Sequence, residues 1–324
     1  MTLVQHQTEG DCPTFDQHEP FIKIEDTGHE TSPASGKRPV QRSDHSTAVA
    51  TYFQVLGAFY NMVPAVSTTD IGTALIQCES LVKVAGDLDC VHLLRPHLGN
   101  VLGQYRQKLF VAIKADPPRW ILLAMALENV SIYTECLIHL AGAHPNWPWQ
   151  TKRTVLHHGL QLLIKNKSSA LDKTCVEAER DLLLATIKIH DNPVEASDLE
   201  NSDTWLPVQV FRDALARQIY SMGNNSKKAK NRGTFYRGIW KASYMETEEV
   251  RGTCQDIYKS KYKDLGDDLK QLKAYASGVV EELAENQLMI DPDAHKVGYL
   301  TCIKVEPQDI PWQGEGRSGG WWVQ

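Results

Sequence analysis

From Thr47 onward apolar residues recur every three or four positions, and alternating runs are almost absent. That spacing lines one face of a helix, so it commits the chain to helix packing rather than to sheets. Tyr52, Phe53, Leu56, Phe59 and Tyr60 mark a first amphipathic helix ending near Asn61. Ser67, Thr68, Thr69 and Asp70 offer N-caps for a second, with Ile71, Leu75, Cys78, Leu81, Val82 and Ala85 along its apolar side. Segments 89–99 and 104–114 continue the pattern. Asp116-Pro117-Pro118 then breaks the chain before a strongly apolar helix predicted from Arg119 to about Ala141.

Beyond it, His144-Pro145-Asn146-Trp147-Pro148-Trp149 reads as a stiff aromatic connector, since each proline restricts itself and the residue before it. Two helices are predicted near Val155–Lys165 and Cys175–Ile189, then a polar loop over 191–207 and a short helix over Val208–Tyr220. Gly223–Arg237 reads as a break, Glu246–Leu288 as one long helix, and Val297–Val305 as the best strand candidate by its β-branched and aromatic content. The fold class expected is therefore mainly α with little β. No repeat of fixed period argues for a solenoid.

Residues 1–46 carry four prolines, many Ser, Thr and Asp, and apolar residues at no regular period. Such a segment buries too little apolar surface to offset its ordering entropy and is expected to be disordered. Within it Ile22-Lys23-Ile24-Glu25 fits the aliphatic-Lys-x-acidic pattern of a SUMO acceptor, with Lys23 as the site. Ile303-Lys304-Val305-Glu306 repeats the pattern inside the predicted strand, where a structural role is expected.

A net charge of -6 argues against broad nonspecific nucleic-acid binding, so any basic contact has to be local. No run reaches the roughly 18 to 20 apolar residues of a membrane helix, and the amino terminus has no signal-peptide pattern. Seven scattered cysteines without a CxxC pair read as reduced core residues. Together these place the chain in the cytoplasm or nucleus.

No constellation for catalysis emerges. His157 and His158 are adjacent and point about 100° apart on a helix. There is no HExxH, no GxSxG and no phosphate-binding glycine loop. No enzyme activity, metal or cofactor is expected. The one concentrated charge is Lys227, Lys228, Lys230, Arg232 and Arg237, with Phe235, Tyr236 and Trp240 beside them. Three readings stand: a solvated loop balanced by Glu246, Glu248 and Glu249; a nuclear import signal; and a phosphate contact with aromatic stacking.

Several runs resemble a known family. Phe59-Tyr60-Asn61, Leu81-Val82-Lys83-Val84-Ala85 and Leu93-Leu94-Arg95-Pro96-His97-Leu98 are similar to the helical half of the BTB/POZ domain. Asp116-Pro117-Pro118-Arg119-Trp120, Ala141-Gly142-Ala143-His144-Pro145, Trp147-Pro148-Trp149, Tyr299-Leu300-Thr301-Cys302 and Ile310-Pro311-Trp312 resemble the region that follows the module in fungal members. The resemblance spans residues 51–312. It implies a BTB-like helical remnant at 47–114 packed on a helical carboxyl-terminal region at 115–312, between a head at 1–46 and a flexible tail at 313–324. No alternating apolar run precedes residue 47, so the strands that open a complete module are not expected. Proteins of this kind are implied to be non-catalytic adaptors whose partners are other proteins, with possible self-association and recruitment of a cullin ligase or corepressor. The alternative function is a nucleic-acid-associated protein using segment 227–237.

Overall fold

The computed structural model describes residues 43–223 and 225–313. The Lys23 motif, the head up to residue 42 and the tail from residue 314 lie outside the described residues. The described chain is mainly helical, as its periodicity requires. Its eleven helices are α1 (Ser43–Ala58), α2 (Ile71–Asp87), α3 (Val91–Gly103), α4 (Gln107–Ala115), α5 (Pro117–Leu127), α6 (Val130–Ala143), α7 (His158–Leu183), α8 (Ser202–Ser221), α9 (Asn225–Trp240), α10 (Thr247–Ile257) and α11 (Leu265–Ala284). The only pairing of strands among the described residues is a minimal hairpin, β1 (Lys188–Ile189) against β2 (Asn192–Pro193).

Two apolar cores form. The first gathers α1 to α6 and the start of α7, with Leu94, Leu98, Leu102, Ile113, Ile121 and Leu137 fully enclosed. It runs without interruption across residues 114 and 115, where Ile113 and Trp120 share it. The second gathers the rest of α7 with α8 to α11 around Phe211, Tyr236, Leu272 and Val280. Each fully buried Leu or Phe stabilises by about 2 kcal/mol, so these clusters dominate the fold.

Local chemistry explains where the helices differ from the periodic reading. The apolar helix expected over 119–141 is two helices. Glu128 adopts a left-handed conformation (φ 50°) at the end of α5, and the Asn129 side chain accepts from Ile132 N at 3.1 Å to cap α6. Conversely, the two helices expected near 155–165 and 175–189 are one, α7, about 39 Å long at 1.5 Å per residue. Its polar middle is a solvated stretch crossing between the cores, and Leu171 there packs against both.

The long helix expected over 246–288 is broken between α10 and α11. There Tyr262 turns inward at φ 43°, and its hydroxyl donates to Tyr258 O at 2.9 Å. Arg251 donates to the carbonyls of Lys261 and Tyr262, so the turn is tied back to α10. Part of the expected 191–207 loop is already α8, with Pro207 in its second turn.

Val297–Val305 is extended but joins no sheet. It threads as a strap against α6 and α9, and its backbone groups find other partners. Arg237 Nη2 donates to Val297 O (2.6 Å), Thr234 N to Gly298 O (3.1 Å), and Gln287 N to Thr301 O (2.9 Å). Contact is backbone to backbone: a Cβ added at Gly142 would overlap the Leu300 carbonyl, and one at Gly233 the Tyr299 carbonyl. Only glycine allows that approach. The strap continues to Trp312, whose ring meets Tyr133 edge-on at 5.2 Å, while Tyr133 donates to Asp309 O at 2.9 Å.

The aromatic connector lies against the α4–α5 junction. Trp149 donates to Lys114 O (3.2 Å) and Thr151 to Asp116 Oδ2 (2.6 Å), while Trp147 and Trp149 pack edge-to-face. No helix among the described residues is long and apolar enough to cross a membrane.

Candidate functional site

Three places hold side chains whose arrangement asks for an explanation: the outer face of α1, the basic helix α9, and a sealed polar cluster on α6.

Helix α1 packs on α2 through Val55 and Ala58, both nearly inaccessible. A helix with one buried face normally turns polar residues outward. This one exposes Val49, Tyr52, Phe53 and Leu56, and the turn that follows adds Phe59, Tyr60, Met62 and Val63. Phe53 is 70% and Tyr60 83% accessible, far from the burial such rings ordinarily reach. The turn is well made: Tyr60 N donates to Gly57 O (2.9 Å), Met62 N to Gly57 O (3.1 Å), and Tyr105 donates to Ser67 O (2.7 Å) just beyond. Its apolar residues stand exposed on a hydrogen-bonded turn. No Asp, Glu, Lys, Arg or His occurs between Ser46 and Thr69. Exposed apolar side chains grouped in this way make the α1 face a candidate interaction surface.

Segment 225–240 is a helix rather than the break expected from its polar composition. The periodic signal is present at Ala229, Arg232, Tyr236 and Ile239, but half of that inward face is cationic or aromatic rather than aliphatic. The five basic residues are not alike. Arg232 is nearly buried and pairs with Asp172 of α7. Arg237 is 6% accessible; it donates through Nε to Asp293 Oδ1 at 2.7 Å and through Nη2 to the strap. Lys228 meets Glu179 at 2.6 Å, and Glu179 also accepts from Tyr236 OH.

The neutralising acids thus come from α7 and the turn before the strap. Lys241 at 2.5 Å, with Arg237 behind it, holds the Asp293 carboxyl below the usual carboxylate range. Lys227 and Lys230 remain exposed, and no ion pair involves either of them among the described residues. Two isolated lysines are a small part of the five-charge cluster the sequence suggested. Lys304, in the second SUMO-type pattern, is exposed and 3.6 Å from Glu285.

The third place was legible only as spacing. Glu135 and His139 lie one turn apart on α6, both essentially inaccessible. Glu135 Oε2 accepts from Met289 N at 2.9 Å, and His139 Nδ1 pairs with Tyr299 OH at 2.7 Å. Glu135 Oε1 and His139 Nε2 face each other at 3.8 Å and have no hydrogen-bond partner. That separation is within ion-pair reach, yet burial drives both groups to their neutral forms. It pushes the Glu135 carboxyl up to about 7 and pulls His139 down to about 3, with the nearby Lys114 charge acting the same way on His139.

Such a pair has acid–base chemistry available in principle, but solvent does not reach it. Two open grooves, about 620 and 720 Å³, flank the Asp291–His295 turn and are lined by neither residue. The cluster therefore clasps Met289 and Tyr299 to α6. No group of three metal-ligating side chains occurs among the described residues. The six described cysteines are unpaired, five of them buried; burial pushes the Cys78 thiol up to about 12.

Comparison with family models, with curated proteins and with solved structures returns no match.

Proposed function

We propose that this chain is a non-catalytic protein-interaction adaptor of the kind its BTB/POZ-like sequence runs suggest, with the outer face of α1 as its contact surface. The single observation that carries the reading is that α1 and the hydrogen-bonded turn after it leave their apolar residues exposed to solvent. Burying Phe53, Tyr60 and their neighbours against another protein would recover the hydrophobic free energy now left unused, about 25 cal/mol per Å². Aromatic rings at the centre of a patch are the residue types that dominate binding energy in protein interfaces.

The nucleic-acid alternative draws less support, because Lys228, Arg232 and Arg237 already neutralise acids of the fold. Recruitment of a cullin ligase or corepressor rests on the resemblance alone. The test is capture of partners by the full chain compared with Phe53→Glu and Tyr60→Glu. The reading expects both variants to stay folded and lose partners that the unaltered chain holds. Equal capture by all three chains would remove it.

A further inference from the structure

We infer that the groove at the carboxyl-terminal ends of α9 and α11 binds a short lysine- or arginine-rich segment of a partner protein. This surface is separate from α1, so the inference goes beyond the adaptor reading and stands without it.

The groove, about 620 Å³, is walled by Trp240 and Lys241 at the end of α9, by Glu281 and Glu285 at the end of α11, and by the turn from Met289 to Asp293. Helix α9 is tied to α11 where Ser277 Oγ donates to Trp240 O at 2.9 Å. The turn is fastened from several sides. Met289 N donates to Glu135 Oε2 and Gln107 Nε2 to Met289 O, while Asn286 Nδ2 donates to Leu288 O and Ile290 O. A wall already fixed by its own hydrogen bonds loses little freedom when a ligand docks.

Charge selects the occupant. Four carboxylates line the groove, those of Glu281, Glu285, Asp291 and Asp293, against the two cations Arg237 and Lys241. Both cations are engaged by Asp293, Arg237 Nε at 2.7 Å and Lys241 Nζ at 2.5 Å. Glu285 has only the more distant Lys304, at 3.6 Å. No ion pair among the described residues involves Glu281 or Asp291. Asp291 Oδ1 accepts from the amides of Asp293 and Ala294, which fixes its carboxylate in the turn. Helices α9 and α11 both end at the groove and bring the negative ends of their dipoles to it. Side chains and backbone therefore attract a cation and repel a phosphate-bearing ligand.

The apolar surface says which cation. Trp240 is 48% and Met289 58% accessible, and no ring or cation contact engages the Trp240 indole among the described residues. An exposed indole face attracts a Lys ammonium or an Arg guanidinium. Indole and thioether together also cover the methylene stem that both side chains carry. A bare metal ion would use neither. The groove is larger than one side chain, so it suits consecutive residues of a chain.

The experiment is fluorescence polarisation of fluorescein-labelled tetralysine titrated with the full chain, at about 50 and 500 mM salt. Labelled tetraglutamate is the probe of opposite charge. Unaltered protein is compared with Glu281→Lys, Trp240→Leu and Glu177→Lys. The last makes the same charge change at an exposed position of α7 outside the groove. Glu281 is exposed and leucine keeps an apolar side chain at half-exposed residue 240, and far-ultraviolet dichroism checks that each variant keeps its helices. The inference expects saturable tetralysine binding at low salt, at least about tenfold weaker in Glu281→Lys and threefold weaker in Trp240→Leu. Glu177→Lys should stay within about twofold of the unaltered chain, high salt should weaken binding, and tetraglutamate should not bind. No tetralysine binding at low salt overturns the inference. So does equal weakening by Glu177→Lys and Glu281→Lys, which reduces the effect to overall charge, or binding indifferent to Trp240→Leu. Phe53→Glu should bind tetralysine no more weakly than the unaltered chain. Failure at the groove therefore leaves the α1 reading standing, and lost partner capture in Phe53→Glu leaves the groove standing.

Discussion

Replacing Glu135 with Gln tests the account of the sealed cluster by making the chain more stable in alkali. Gln keeps an oxygen to accept from Met289 N and nearly the same volume, but it cannot ionise. In the native chain the Glu135 carboxyl is pushed from its ordinary 4.5 to about 7 by burial. A carboxyl raised on folding keeps its full contribution below pH 4.5 and loses it as the pH climbs from there through about 7, because the unfolded carboxyl ionises over that range while burial keeps the folded one protonated. The difference corresponds to a cost on the order of 3 kcal/mol by pH 8.5.

His139 has the opposite dependence: its depressed value costs stability as the pH falls below 6.5. It is common to both proteins, so the difference between them isolates Glu135. Urea unfolding followed by tryptophan fluorescence, at pH 5 and pH 8.5, gives the comparison. Glu135→Gln should exceed the native chain by about 3 kcal/mol at pH 8.5 and by well under half of that at pH 5. An equal gap at the two pH values, or a less stable variant at pH 8.5, would refute the assignment of a buried, raised carboxyl.

Other consequences separate backbone contact from ordinary helix preference. Gly233→Ala should lose about 2 kcal/mol or more in urea unfolding, since its Cβ meets the Tyr299 backbone and the gain in helix propensity is at most about 1 kcal/mol. Gly252→Ala on α10, with open space at its Cβ, should gain up to about 1 kcal/mol. Arg237→Met strips the strap and Asp293 of a buried donor and should cost about 3 kcal/mol, whereas Lys230→Ala should stay within about 0.5 kcal/mol. If the two basic variants behave alike in urea titration, the division of the basic helix into structural and exposed cations is wrong.

Periodicity made the helical class and α1 to α4 readable, because caps such as Asp70 and turns such as Asn61 carry their own chemical signatures. The junctions between helices were harder to read. The break at Glu128–Asn129 depends on a left-handed residue followed by a side-chain cap, and an unbroken apolar pattern hides both. Helix α9 escaped because its inward face counts two arginines that look solvated until Asp172 and Asp293 are brought to them by distant segments. The strap has the composition of a strand, but its neighbours turn out to be Gly142 and Gly233 on helices. At the candidate site, the aromatic residues of α1 were visible as an amphipathic stripe, and their outward direction was not. Which side of a helix is apolar is local information, whereas which side is covered depends on where α2 packs.

The most direct test of the contact surface is hydroxyl-radical labelling of Tyr52, Phe53, Phe59, Tyr60 and Met62. It compares dilute purified chain with the same chain at its working concentration in a cell extract. The account predicts strong labelling when dilute and clear protection in the extract, with Tyr220 on α8, 89% accessible, labelled equally in both as the internal control. Equal labelling of the α1 residues under the two conditions would contradict it.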